Sequence, residues 1–275
     1  MKKAKVLFVS QEITPYLDET PMGLISRHLP QGIQERGKEI RTFMPRYGLI
    51  NERRNQLHEV IRLSGMNLII DDSDHPLILK VASIQSARMQ VYFIDNEDYF
   101  QRKATTLDKN GKSFADNDER CIFFCRGVIE TVKKLGWAPD VVHCHGWMSA
   151  LMPIYLKRSF SDNPLFENTR VIYSIYDEQF SDTLDKDMAK KVLFEGIQKS
   201  DLDLLKTPSY INICKTAIDF SDGIIKASPK INSDLEKYAK KSGKPLLDYK
   251  PMEEYIDAYN EFYDEVLEEE PAYAD

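Results

Sequence analysis

No stretch of this chain approaches the roughly 18 consecutive apolar residues that a membrane-spanning helix needs. The basic start MKKAKVLFVSQE carries an apolar run of only Val6 to Val9 with no small-residue cleavage site after it, so it reads as a first strand rather than a secretion signal. Cysteine is sparse. Cys121, Cys125, Cys144 and Cys214 are spread through 275 residues, too thinly for a disulfide scaffold. Cys121 and Cys125 stand four apart on an expected helix, a spacing that can hold metal, but Ile122, Phe123 and Phe124 between them favour buried thiols. A cytoplasmic setting is the expectation. No basic stripe interleaved with aromatics is present, which argues against nucleic acid as a partner. The G-x-G-x-x-G fingerprint is missing, which disfavours a typical dinucleotide site. Gly111-Lys112-Ser113 lacks the glycine a P-loop places five residues earlier, where Thr106 stands, and it follows a loop rather than a strand. No cofactor and no metal site is expected.

What remains is a soluble, core-forming chain. It is 42% hydrophobic and 29% charged, enough apolar surface for one large domain and too little net charge for disorder. The net charge of −7 is uneven, because Pro245 to Asp275 holds eleven acidic residues and one lysine. The main body is slightly basic and the tail strongly acidic.

The periodicity alternates strand and helix. KVLFVS (Lys5 to Ser10) predicts a strand, Met22 to Arg36 a helix with Pro30 inside it and Gly37 at its end, and EIRTFMP (Glu39 to Pro45) a second strand. From Gln56 to Ile94 the segments NLIIDD, LILKVASI and RMQVYFID predict a β insertion or antiparallel edge. Helices are expected at Asn117 to Leu135, stopped by Gly136, and at Trp147 to Lys157, Ser209 to Phe220 and Pro229 to Lys241. Strands are expected at Val141 to Cys144, Arg170 to Ile175 and Gly223 to Lys226. The order implies an α/β fold, an open and mostly parallel sheet with helices on both faces.

The segment VVHCHGW (Val141 to Trp147) carries the sharpest chemical signal. His143 and His145 share one face of an extended strand, fair geometry for two metal ligands, but the other histidines, His28, His58 and His75, lie in unrelated contexts and do not complete a set. In an open α/β sheet ligands sit beyond the carboxyl ends of the strands, where this segment falls. Histidine and tryptophan suit a sugar, one by hydrogen bonding and the other by its flat apolar face. Two readings stand: histidines bonded to a neighbouring loop, or a ligand site.

Four stretches together resemble the N-terminal domain of bacterial glycogen and starch synthases, glucosyltransferases that use ADP-glucose. KVLFVSQEITPY resembles the family's opening strand and Ser-Glu-x-x-Pro-Phe/Tyr loop. LPQGIQERGKEIRTFMPRY resembles Leu-Pro-x-Ala-Leu-x-x-x-Gly-His-x-Val…Met-Pro-x-Tyr. DNDERCIFFCRGVIE…WAPDVVHCHGWMSALMPIYLK resembles Asp-Asn-x-x-Arg-Phe…Pro-Asp-Val-Val-His-Ala-His-Asp-Trp-x-x-Ala-Leu-x-Pro-x-Tyr-Leu. INICKTAIDFSDGIIKASPKINSDL resembles Leu-Lys-x-x-Ile-x-Tyr-Ala-Asp-x-Val-x-x-Val-Ser-Pro-x-Tyr. The resemblance runs in order over about residues 4–236 and implies a Rossmann-like domain.

The departures fall on the chemistry. The family's Lys-x-Gly-Gly-Leu loop, which serves the nucleotide-sugar phosphates, is here Asp18, Glu19, Thr20, Pro21 and Met22. A cation has become an anion, both glycines are gone, and proline removes an N–H donor. The family aspartate two positions further on is Leu24. Both histidines of His-Ala-His-Asp-Trp survive as His143 and His145, but the aspartate is Gly146. The family's Thr-Ile-His-Asn is Ser174-Ile175-Tyr176-Asp177. The family carries a second domain with most of the nucleotide-sugar contacts; here KPMEEYIDAYNEFYDEVLEEE follows instead, with Met252, Tyr255, Ile256, Tyr259, Phe262, Tyr263, Val266 and Leu267 at helical spacing.

The resulting expectation is a single Rossmann-like domain over 1–244 and an acidic amphipathic helical tail over 245–275, the tail packing on the domain or on a partner. The chain is expected not to transfer glucose alone, and no catalytic residue is assigned. It would bind glucan, with His145 on a sugar hydroxyl, Trp147 as a wall and His143 beside them, or regulate a true synthase. Two alternatives remain open. One is half of a split ADP-glucose-dependent α-1,4-glucosyltransferase completed by a second chain; the candidate partners are a second glycosyltransferase chain or another copy of this one through the C-terminal helix. The other is an interaction module with an empty cleft.

Overall fold

A computed structural model describes residues 3–268. The strands are β1 (Lys5–Ser10), β2 (Glu39–Pro45), β3 (His58–Glu59), β4 (Met66–Ile70), β5 (Ser73–Ile84), β6 (Met89–Asp95), β7 (Val141–His145), β8 (Arg170–Ile175), β9 (Gly223–Lys226) and β10 (Leu246–Leu247). The helices are α1 (Pro21–Glu35), α2 (Glu97–Phe100), α3 (Asn117–Leu135), α4 (Met152–Ile154), α5 (Met188–Val192), α6 (Tyr210–Phe220), α7 (Ser233–Lys241) and α8 (Tyr255–Glu268).

Among the described residues one sheet runs in the order β10-β9-β8-β7-β1-β2-β6-β5-β3, with β4 paired to β5. The run from β10 to β6 is parallel throughout. The insertion expected between Gln56 and Ile94 is an antiparallel extension: β5 runs against β6, β3 and β4. Strand order reverses between β1 and β7. That is the topological switch point, where loops diverge and leave a crevice at the carboxyl ends of the strands.

Local chemistry fixes the element ends. Thr20 caps α1 by accepting from Gly23 N, and Pro21 starts the helix, where its missing N–H costs nothing. Gly136 ends α3 in the left-handed region at φ 59°, its N–H bonded back to Lys133 O and Val132 O. Asp118 and Glu119 in the first turn and Lys133 and Lys134 in the last complement that helix's dipole.

Two expectations shift. The helix predicted from Trp147 to Lys157 is broken into a 3₁₀ turn (Trp147–Ser149), α4 and a π turn (Tyr155–Ser159). Pro153 lacks the N–H that a continuous ladder would need there. The helix predicted from Pro229 begins at Ser233, because Asn232 caps it by accepting from Asp234 N and Leu235 N.

The two sheet faces carry separate cores. On one face α3, α4 and α6 bury residues such as Ile122, Phe123, Leu151 and Ile213. On the other, α1 and α8 cover Val6, Phe8, Val141 and Ile172. The tail helix therefore packs back on the domain, with Tyr255, Tyr259, Phe262, Tyr263 and Val266 buried. Two glycines let it seat. A Cβ at Gly32 would lie 2.5 Å from Ile256 Cγ2, and one at Gly223 would lie 3.0 Å from Val266 Cγ2. Lys38 Nζ donates to Asn260 Oδ1 at 2.8 Å and to Asp264 Oδ2 at 3.0 Å, and Arg36 Nε donates to Asp257 Oδ1 at 2.7 Å. Residues 269–275 of the acidic tail lie outside the described residues. Among the described residues no helix is long and apolar enough to cross a membrane.

Candidate functional site

The carboxyl ends of β1, β7 and β8 and their loops form the site. Parallel register puts Ser10 beside His145 and His145 beside Ser174. A cleft of about 270 Å³ opens next to this edge, lined by Gln11, Trp147, Glu178, Gln179 and Phe180, by Asn117 from the start of α3, and by Thr106, Leu107, Gly111 and Ser113. The last four belong to the segment set aside above as a P-loop. It is instead a turn closed by a Leu107–Ser113 bridge, and it forms the cleft rim. Amides, hydroxyls and one carboxylate line the cleft beside two aromatic rings, and no lysine or arginine does. Trp147 and Phe180 meet edge to face at 5.1 Å.

The histidines lie behind the cleft rather than in its lining. His143 is fully buried, its Nδ1 2.6 Å from Tyr263 Oη on α8 and its Nε2 2.7 Å from Ser174 Oγ. His145 is also buried; its Nδ1 lies 2.8 Å from Tyr176 Oη, and its Nε2 has no partner among the described residues. The rings lie 3.9 Å apart between centroids, tilted by 39°. Burial pushes His145 down to about 3, and burial together with the adjacent His145 holds His143 well below the usual histidine range. Both are neutral at physiological pH. Of the three residues singled out in VVHCHGW, Trp147 lines the cleft.

Two side chains that the sequence did not single out tie the cleft floor together. Gln11 Oε1 accepts from Met148 N at 3.1 Å, and Gln11 Nε2 donates to Glu178 Oε2 at 3.1 Å. Glu178 Oε1 accepts from Trp147 N at 2.9 Å. The backbone donors that open the turn after β7 are therefore held by the chain's own side chains. Glu178 is half-buried with both oxygens turned inward. Burial pushes its carboxyl up to about 7; the Glu12 carboxylate adds to this, and the hydrogen bonds from Trp147 N and Gln11 oppose it. No local signal marks Glu178, because its role arises only when β1, β7 and β8 align.

The altered loop before α1 is closed in the same way. Thr20 Oγ1 accepts from Gly23 N at 2.9 Å and donates to Glu12 Oε2 at 2.6 Å. Leu24 N is bonded to Thr20 O, and Pro21 has no N–H. Asp18 and Glu19 point into solvent, so the carboxylate at the start of α1 is Glu12. Met22 is buried and packs where a Cβ at position 146 would go, 2.8 Å from Met22 Cε and 2.9 Å from Gln11 Oε1. Gly146 also has φ 81°, which favours glycine. The Met22 and Gly146 departures are thus one packing solution. Cys121 and Cys125 are buried thiols, donating to Met148 O at 3.3 and 3.4 Å.

Comparison with known proteins matches residues 5–247 to the starch synthase catalytic domain family. Glycogen synthase of Chlorobium limicola is 34% identical over 219 residues, covering 79% of this chain and 44% of that protein. Glycogen synthase of Chlorobaculum tepidum is 31% identical over 250 residues, covering 87% and 51%. The fold is shared with the catalytic domain of starch synthase IV from Arabidopsis thaliana bound to ADP and acarbose, with a TM-score of 0.72 at 17% identity over 90% of this chain and 51% of that one. The chain spans about half the length of the curated relatives it matches. With a family match over residues 5–247 and relatives 31–34% identical over most of its length, this protein belongs to the starch synthase catalytic domain family.

Proposed function

We propose that this domain binds α-glucan in the switch-point cleft and does not by itself bind a nucleotide sugar, so that it serves glucan metabolism as a binding or regulatory partner of a true synthase. One observation carries the reading: both backbone termini that face the site are closed from within. Thr20, Pro21 and Glu12 close the start of α1, and Gln11 and Glu178 close the turn after β7. A diphosphate needs free N–H donors and cations. Here it would meet the Glu178 carboxyl in the cleft lining, Glu12 at the start of α1, and no lining cation. Each unit-charge pair at about 5 Å costs about 3 kcal/mol at an effective dielectric of 20. A glucan is neutral and avoids that penalty. It offers hydroxyls to Gln179 and Ser113 and apolar ring faces to Trp147 and Phe180.

In this reading His145 acts from behind the cleft, through Tyr176 and the wall behind Trp147. His143 anchors α8. Calorimetric titration with maltohexaose tests the proposal. Binding is expected, weakened about five- to tenfold by Phe180→Ala, which removes an aromatic wall; equal affinity in that variant would remove the cleft as the site.

The second reading is half of a split ADP-glucose-dependent glucosyltransferase. It is favoured by the open cleft edge and by relatives about twice as long as the matched region. It requires ADP-glucose binding once the complementary half is supplied, and measured transfer in such a mixture would establish it.

A further inference from the structure

The rim of the cleft between α2 and α3 is a small hairpin that bonds only to itself. Leu107 and Ser113 pair across it. Asp108 N donates to Lys112 O at 2.8 Å, and Gly111 N to Asp108 O at 3.0 Å. Asp108 Oδ1 accepts from Asn110 N at 2.8 Å and from Lys112 N at 2.9 Å. Among the described residues, every hydrogen bond made by residues 107–113 closes within this hairpin.

Its ties to the domain lie at its base. Thr106 O accepts from Phe114 N at 3.3 Å and from Asn117 Nδ2 at 2.8 Å. The Phe114 ring centroid lies 4.6 Å from the Arg102 guanidinium carbon and 5.5 Å from that of Arg120. Arg120 is fully buried and fixed, donating to Asn117 Oδ1 at 2.7 Å and to Tyr99 O at 2.8 Å. The arm that leads in, residues 103–105, makes no hydrogen bond or ion pair among the described residues. A stiff hairpin joined to the body at one carbonyl and one stacked ring, with slack in front of it, is built to pivot as a unit.

Leu107 gives the pivot a purpose. It lines the cleft yet is 43% exposed, whereas leucine is most often buried. Trp147 and Phe180 line the same cleft. A sugar ring between them and the hairpin lets Leu107 leave water as the hairpin swings in.

We infer that residues 107–113 are a flap that closes over the occupant of the cleft, pivoting at Thr106 and Phe114, with Leu107 packed on an apolar sugar face. This rests on the glucan reading of the cleft.

The test reads flap position and binding separately. All four cysteines are buried, so a cysteine introduced at exposed Lys109 on the hairpin takes a bimane label, which tryptophan quenches on close approach. Of the two tryptophans, Trp147 lines the cleft and Trp137 lies beside Lys5 at the far end of β1. Maltohexaose is expected to quench labelled Lys109→Cys with the same midpoint as the calorimetric heat, and to leave a label at Asn168→Cys, exposed and outside the cleft, unchanged. Leu107→Ala is expected to keep its melting temperature, to weaken maltohexaose about fivefold, chiefly through faster dissociation, and to reduce the quenching at saturation. Heat without a change in quenching would overturn the flap and leave the cleft reading standing. Equal quenching of both labels, or wild-type affinity in Leu107→Ala, would overturn it too. Absence of heat would overturn the glucan reading, and the flap's role with it.

Discussion

Replacing Glu178 by glutamine tests the closure of the cleft floor through its pH dependence. The folded chain raises this carboxyl from 4.5 to about 7, so the native state holds the proton more tightly than the unfolded state does. The stability this contributes is fully present below the unfolded value of 4.5 and is lost as pH rises through the folded value of about 7. A shift of that size is worth about 3 kcal/mol at most, and solvent screening of a half-buried group brings it to about 1–2 kcal/mol. Glu178→Gln cannot titrate, and its amide oxygen can still accept from Trp147 N. Urea unfolding of both proteins at about pH 5 and about pH 8 isolates the difference. Wild type is expected to lose about 1–2 kcal/mol relative to the variant between those two conditions. A flat difference, or one of the opposite sign, would refute the inward-turned carboxyl and with it the bridge from β1 to β8.

Three further substitutions examine the packing around the site. Gly146→Asp is expected to destabilise by about 2 kcal/mol or more, since the side chain meets Met22 and Gln11 at a positive φ; Met22→Ala should recover part of the loss in a chemical-denaturation cycle, and full additivity would show that the two positions do not touch. Gly32→Ala would gain about 1 kcal/mol from helix propensity alone but drives a methyl into Ile256, so a net loss of about 1–2 kcal/mol is expected, relieved in the Ile256→Ala background. A stabilised Gly32→Ala would show that α8 does not dock on α1. Tyr263→Phe leaves His143 Nδ1 without its partner and is expected to cost about 1–2 kcal/mol, with a melting temperature equal to wild type as the contrary result.

The sequence revealed those parts whose causes are local. Arg170 to Ile175 is a buried parallel strand and reads as a continuous apolar run. Asn117 to Leu135 carries helical spacing and a glycine stop, and it ends where Gly136 turns left-handed. The broken helix after Trp147 was less visible, because its apolar pattern is compatible with a continuous helix and only Pro153 hints at the interruption. At the site, the shared face of His143 and His145 follows from strand geometry. Their partners do not: Tyr263 is 120 residues from His143, and Glu178 is 167 from Gln11. The acidic, glycine-free character of Asp18 to Met22 was visible as residue types, but the hydrogen bond from Thr20 to Glu12 required the backbone to bring them together.

Under the proposed function the cleft accepts a neutral glucan and excludes a nucleotide sugar. Parallel calorimetric titrations with maltohexaose and ADP-glucose test it most directly. Saturable heat is expected with maltohexaose and none with ADP-glucose over the same concentration range. Saturable ADP-glucose binding, abolished by a nucleotide diphosphate competitor, would contradict it.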